Sequence, residues 1–378
     1  MRIGILTFHC AHNYGAVLQV YALKEYLKGR GHDAEVIDYR PSYITRVYRA
    51  MKPLRTEGLP FLRRLRIFVR SLPRRLAFVP AKIVRRHSFE RFISERLSLS
   101  PERIGDDGRI PAERYDAIIF GSDQIWSPAI MRGWDPVFFG DFPAPAGTLK
   151  IAYAASAGDY TVALGNDARF LACLKNFDAI SVRESALADV LRPHATKEIP
   201  IVLDPTLLVC RDVWSKLAVA PAKREKPYVL AYYIYGGEKR RTAERIARGI
   251  AAQLGADVVT VWDADGLRRA ALARAETPEE FVGLFKGAAC VVTTSFHGTA
   301  FSLIFGKPLY FVGDGCIGEC RQRYILGELG LLDRIVPAGT ATAPAFSPID
   351  YGKAANARLD ALRAKSGEFL ASALGGGK

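Results

Sequence analysis

Cysteine is scarce in this chain: 378 residues carry only six, at positions 10, 173, 210, 290, 316 and 320. With no paired C-x2-C spacing among them, a disulfide-framed secreted fold and a zinc knuckle are excluded, and a reduced, cytoplasmic chain is expected. Cys316 and Cys320 stand four apart without a spaced His/Cys partner pair, so no metal is assigned. Long apolar runs are missing too. No stretch reaches the ~20 residues of a membrane span. The apolar opening Met1 to Phe8 runs into His9 and His12 rather than a small-residue cleavage site, so it reads as a first strand. The turn after it holds no glycine before Gly15, which disfavours dinucleotide binding through a G-x-G-x-x-G loop. Acidic residues are the scarcer charge, 39 against 53 basic, and the net +14 suggests an anionic partner: phosphate ligands, a membrane surface or nucleic acid.

What is present is globular. Hydrophobic residues at 49% and charged residues at 24% exclude a disordered or fibrous chain, and the length suits two domains. Strand-like and helix-like patterns alternate, which argues for α/β layers with parallel strands. Arg2 to Phe8, Ala34 to Tyr39, Tyr115 to Phe120, Lys150 to Ala155 and Ala179 to Val182 read as strands, with helices over Gly15 to Lys28 and Glu184 to Leu191. After a linker-like Ala220 to Pro227, strands are expected at Tyr228 to Ile234, Val258 to Trp262, Ala289 to Thr294 and Pro308 to Val312. Thr277-Pro278-Glu279-Glu280 combines a capping box with proline at the first helical position. Two Rossmann-like domains facing a cleft are therefore expected: residues 1–205 with a basic helical insertion at about 44–100, then 206–345, then a C-terminal helix and frayed glycine tail over 346–378.

Most of the net charge sits in the insertion. From Arg46 to Arg96 there are 15 basic residues against Glu57, Glu90 and Glu95, a local +12. Within it Phe61 to Arg70 interleaves apolar and arginine positions at helical spacing, which suits an anionic membrane surface. A helix packed on the protein with a solvated basic face is the plainer reading. Nucleic acid is ranked lower, because neither a nucleic-acid fold motif nor an aromatic stacking platform is evident.

Four loops hold the candidate chemistry. His12-Asn13-Tyr14-Gly15 lies between the first strand and its helix, where backbone amides can hold an anion. Gly121-Ser122-Asp123-Gln124 follows a buried strand and is either a binding loop or an Asx turn. Arg183 leaves a strand at a helix start, as anion recognition or a structural ion pair requires. Thr294-Ser295-Phe296-His297-Gly298 places hydroxyls and an imidazole at a strand-to-helix turn, and His297 is the group able to transfer protons near neutral pH, though a lone histidine can be purely structural. Arg321 and Arg323 could add positive charge to the same cleft or lie on the surface.

Together, Asn13-Tyr14-Gly15-Ala16-Val17-Leu18-Gln19, Gly121-Ser122-Asp123-Gln124-Ile125-Trp126, Ser181-Val182-Arg183-Glu184, Leu203-Asp204-Pro205-Thr206-Leu207-Leu208 and Ser295-Phe296-His297-Gly298 resemble the polysaccharide pyruvyl transferase family over Arg2 to about Arg334. The resemblance implies a GT-B-like pair of Rossmann domains. It further implies transfer of a pyruvyl group from phosphoenolpyruvate, without a cofactor, to sugar hydroxyls of a surface polysaccharide or its lipid-linked precursor. His297 would be the catalytic acid. Arg183, Ser295, Gly298, Arg321 and Arg323 would bind the donor, and His12, Asn13, Tyr14, Gly15, Ser122, Asp123 and Gln124 would line the acceptor side. One departure stands out: many members carry arginine two residues before the histidine, where this chain has Ser295, so a cation is missing unless Arg321 or Arg323 supplies it. A nucleotide-sugar glycosyltransferase with Glu279 and Glu280 on a ribose, and a non-catalytic saccharide-binding protein, are the competing readings.

Overall fold

The computed structural model describes residues 1–48, 60, 63, 66–70, 72, 79–220, 224–234, 236–261, 276–316 and 319–375. Two parallel sheets with helices on their faces form the α/β architecture that the alternating pattern implies. The first contains β1 (Arg2–Leu6), helix α1 (Tyr14–Gly29), β2 (Asp33–Tyr39), α2 (Val79–Arg96), β3 (Leu99–Ile104), β4 (Ala117–Phe120), β5 (Leu149–Ala155), β6 (Ala179–Val182) and α3 (Ser185–Leu191). Its strand order is β3-β2-β1-β4-β5-β6, the doubly wound dinucleotide-fold order. The second contains β7 (Tyr228–Tyr232), α4 (Gly237–Leu254), β8 (Asp257–Thr260), α5 (Pro278–Gly287), β9 (Cys290–Thr293), α6 (Phe296–Ile304), β10 (Leu309–Gly313), α7 (Cys320–Glu328), β11 (Ile335–Pro337) and the closing helix α8 (Lys353–Ala373). Its order, β11-β10-β9-β7-β8, is the flavodoxin-like variant.

Local sequence explains the element starts. Asn13 caps α1, its side-chain oxygen accepting from the Ala16 amide at 3.3 Å. The capping box on α5 is closed in both directions: Thr277 accepts from the Glu280 amide at 3.1 Å, and the Glu280 carboxylate accepts from the Thr277 amide at 2.9 Å. β1, β4 and β5 are buried on both faces, which is why they read as unbroken apolar runs. β1 ends at Leu6 rather than Phe8, since the chain turns there and the Ala11 amide bonds Phe8 O at 3.1 Å.

The two sheets share packing. Tyr14 of α1 stacks on Phe281 of α5 with ring centroids 4.2 Å apart, and its hydroxyl donates to Glu276 O at 2.8 Å. The closing helix returns to the first sheet: the Leu203 amide donates to Ser366 Oγ at 2.9 Å, and Arg363 Nε donates to Leu207 O at 2.8 Å. From the insertion, α2 buries Phe89, Phe92 and Ile93 against the core. Residues 66–70 are helical and exposed; the rest of Phe61 to Arg70, apart from Arg63, lies outside the described residues, as do Trp262 and the last three residues of the tail. Among the described residues no helix is long and apolar enough to cross a membrane.

Candidate active site

Strand order reverses between β1 and β4 in the first sheet and between β7 and β9 in the second, and open α/β sheets bind ligands beyond strand carboxyl ends at such points. Loops from these four strands bring Phe8, Asp123, Gln124, Tyr232, Ser295 and His297 to one cleft of about 410 Å³. Asn13, Arg132 and Arg321 also line it.

His297, at the start of α6, reaches across to the first sheet. A methyl group on Gly15 would lie 2.2 Å from His297 Nδ1, so the imidazole occupies the space that glycine leaves open. The other ring nitrogen, Nε2, stands 3.8 Å from Asp204 Oδ2 and has no hydrogen-bond partner among the described residues. Burial pushes the His297 pKa below its ordinary value; Asp204 opposes that shift and Arg183 adds to it. Burial thus favours the neutral imidazole in the free protein, beside a carboxylate that would stabilise its charged form. Gly298 is needed for packing, because a Cβ there would meet Thr293 Oγ1 at 2.1 Å. That hydroxyl donates to Tyr232 O at 2.7 Å and accepts from the Ser295 amide at 3.0 Å, tying the β7 and β9 ends together.

Asp204 is the hub beneath the histidine. It is fully buried and accepts from Arg183 Nη1 at 2.5 Å, Ser122 Oγ at 3.1 Å, the Thr206 amide at 2.9 Å and Thr206 Oγ1 at 2.7 Å. Burial alone would raise its pKa, but the Arg183 guanidinium, with help from His297 and Thr206, holds it at about 2. Arg183 spends Nη1 on this carboxylate, while its Nε and Nη2 have no hydrogen-bond partner among the described residues and Nη2 lies 3.9 Å from Asp123 Oδ1. Its side chain is 1% exposed and pairs with Asp204, so the structure does not bring it to the cleft wall where a donor clamp was expected. Arg321 does line the cleft, its guanidinium 5.5 Å from the Phe296 ring centroid and its Nε 4.0 Å from Glu184 Oε2. Arg323 is exposed on the same helix and outside the cleft lining.

Of the other expected residues, Asn13, Asp123, Gln124 and Ser295 line the cleft. Ser295 is the N-cap of α6, yet its hydroxyl makes no capping bond. Tyr14 is spent on the contact between the sheets, Ser122 is buried on Asp204, and His12 turns into a neighbouring cavity, where Nε2 lies 3.0 Å from Glu90 Oε1. Sequence reading missed Asp204 as a site residue, although Leu203-Asp204-Pro205-Thr206 was a recognisable block. It also missed the lining contributed by Tyr43, Tyr48 and Arg132. Glu280 is consumed by its capping box, and Glu279 is buried with an Arg96 contact at 3.5 Å, so neither lines the cleft.

Two parallel sheets and a cleft lined by an imidazole, a hydroxyl and a cation define a two-sheet α/β protein with one polar site between its strand ends. The profile of the polysaccharide pyruvyl transferase family matches residues 13–314, and the chain belongs to that family of transferases. No curated protein matches it. Among solved structures it is similar to the glycosyltransferase SnogD from Streptomyces nogalater, at 13% identity over 99% of both chains with TM-score 0.41. It is also similar to S. aureus MnaA with UDP, at 10% identity over 87% of this chain and 82% of that one with TM-score 0.46. E. coli heptosyltransferase WaaC with ADP-2-deoxy-2-fluoro heptose is 13% identical over 83% of this chain and 89% of that one, with TM-score 0.38.

Proposed function

We propose that the cleft binds phosphoenolpyruvate and transfers its pyruvyl group to two hydroxyls of a saccharide, giving a pyruvate ketal and inorganic phosphate. The reading rests above all on His297, whose unpartnered Nε2 lies 3.8 Å from the buried Asp204 carboxylate at the junction of both sheets. A protonated His297 gives its proton to the methylene carbon of the enol, which becomes a methyl group. Positive charge then develops at the adjacent carbon, and the first saccharide hydroxyl attacks there. The first hydroxyl's proton returns to His297, the carbon–oxygen bond to phosphate breaks, the second hydroxyl attacks, and its proton leaves with phosphate. Atoms and charge balance without an oxidant or a cofactor.

Asp204 favours the imidazolium that this step requires, and Arg183 acts through Asp204 as a positioning residue. Arg321, the Ser295 hydroxyl and the first amides of α6 are suited to the donor's phosphate and carboxylate. Arg321 thereby takes the place of the arginine that Ser295 replaces in the family pattern. The exposed side chains of Ile67, Val69, Ile83 and Val84, near Arg66, Arg70 and Arg86, support a second part of the reading: association with an anionic membrane face, where lipid-linked saccharides are built. Calorimetric titration with phosphoenolpyruvate beside a panel of nucleotide sugars tests the donor. Phosphoenolpyruvate is expected to bind wild type and to weaken in Arg321→Gln; binding of a nucleotide sugar instead would overturn the reading.

A further inference from the structure

Beside the cleft lies a second cavity of about 490 Å³, and Tyr48 lines both. His12 follows β1, Arg40 follows β2 and Arg103 lies near the end of β3, so three neighbouring strand ends deliver nitrogen bases to one place. From the insertion, α2 adds Arg86 and Glu90.

The acids in this cavity are already neutralised. Glu90 Oε2 accepts from Arg40 Nη1 at 2.8 Å, and its Oε1 lies 3.0 Å from His12 Nε2. Beneath, Asp38 Oδ1 accepts from Arg40 Nε at 2.5 Å and lies 2.8 Å from His9 Nε2. With three arginines against Glu90 and Asp38, the cavity keeps a surplus positive charge. Arg86 makes no hydrogen bond or ion pair among the described residues. Arg103, 69% exposed, engages Asp38 only through Nε at 3.4 Å, leaving its two terminal nitrogens for a ligand. Two guanidinium forks lining one polar cavity match the oxygens of a phosphoryl group.

We infer that this cavity is a phosphate subsite for the acceptor: it takes the phosphate or diphosphate ester of the saccharide, whose sugar then lies across Tyr48 toward His297. The enzyme would thus act on a saccharide while it is still joined to phosphate, either as a free glycosyl phosphate or on a polyprenyl carrier. This rests on the pyruvyl-transfer reading, and the two can fail separately.

The full chain, saturated with phosphoenolpyruvate, is titrated with inorganic pyrophosphate and with a hexose 1-phosphate. Both are expected to bind. The exposed double substitution Arg86→Gln with Arg103→Gln is expected to weaken them by about tenfold or more, with phosphoenolpyruvate affinity unchanged. Absence of binding to the saturated wild type, or undiminished binding by the double variant, overturns the subsite. Arginine-dependent pyrophosphate binding by a protein that fails to bind phosphoenolpyruvate would keep the subsite and remove the pyruvyl donor. The source is read from vesicles: preference for polyprenyl phosphate over phosphatidylglycerol at equal surface charge assigns the lipid carrier, and hexose 1-phosphate binding without that preference assigns the free ester.

Discussion

Gly15→Ala places one methyl group against the candidate acid from the opposite domain. The new Cβ would stand 2.2 Å from His297 Nδ1, 2.4 Å from Cε1 and 2.8 Å from Cγ. Restoring an ordinary contact of about 3.4 Å from 2.2 Å moves the ring by about 1.2 Å, or moves α1 by as much. The ring is the softer of the two, because its Nε2 has no hydrogen bond to hold it. Alanine in the first turn of α1 gains up to ~1 kcal/mol of helix propensity, while overpacking costs about 1–3 kcal/mol, so the variant should remain folded. A displacement of about 1 Å at a reacting group costs on the order of 100-fold in rate. Phosphate release from phosphoenolpyruvate, measured with a saccharide-bearing cell extract as acceptor, should fall by that order while the melting temperature moves by only a few degrees. A folded Gly15→Ala protein with wild-type turnover would refute the placement of His297 at the reacting carbon.

Because burial favours the neutral form of the free His297 imidazole and an anionic donor favours its charged form, phosphoenolpyruvate binding near pH 7 should take up protons. Calorimetry in buffers of differing ionisation heat reads that uptake, which should vanish in His297→Gln. Asp204→Asn leaves the buried Arg183 guanidinium without its counter-ion, a change that costs about 3–5 kcal/mol in comparable pairs. In denaturant melts, Arg183→Met combined with Asp204→Asn should be less destabilised than the two single changes added together; strict additivity would contradict the coupling. Asp38 drops from 3.8 to about 2 and Glu90 from 4.5 to about 2, held down against burial by His9, Arg40 and His12. Their stabilisation is present above the unfolded values and lost as pH falls from about 4.5 toward 2. In Arg40→Met the acid-induced loss should begin at higher pH. Charge reversal at Arg63 and Arg66 should reduce co-sedimentation with anionic vesicles, and unchanged sedimentation would remove the membrane contact.

The central strands were legible because parallel strands buried on both faces write continuous apolar runs, and the start of α5 was legible because its capping chemistry is local. β3 was not. It is an edge strand carrying Pro101 and exposed polar side chains, with no apolar period to read. The loops at the strand ends were found from small and polar residues after apolar runs, and Ser295 and His297 do meet Asp123 and Gln124 there. What sequence could not give was the direction of each side chain. Arg183 turns inward to Asp204 rather than outward, a choice set by a carboxylate 21 residues away. His12 is claimed by Glu90, 78 residues on, and Gly15 is a glycine because a histidine from the other sheet fills its space. Such pairings follow from packing between elements that no local pattern encodes.

Turnover in deuterium oxide tests the proton-transfer step most directly. With phosphoenolpyruvate and the acceptor extract, the ketal methyl should carry a single deuteron, detected by mass and NMR, and His297→Gln should form none of this product. A ketal formed at the wild-type rate by His297→Gln, or failure of phosphoenolpyruvate to supply any pyruvyl group, would contradict the assignment of His297 as the acid for pyruvyl transfer.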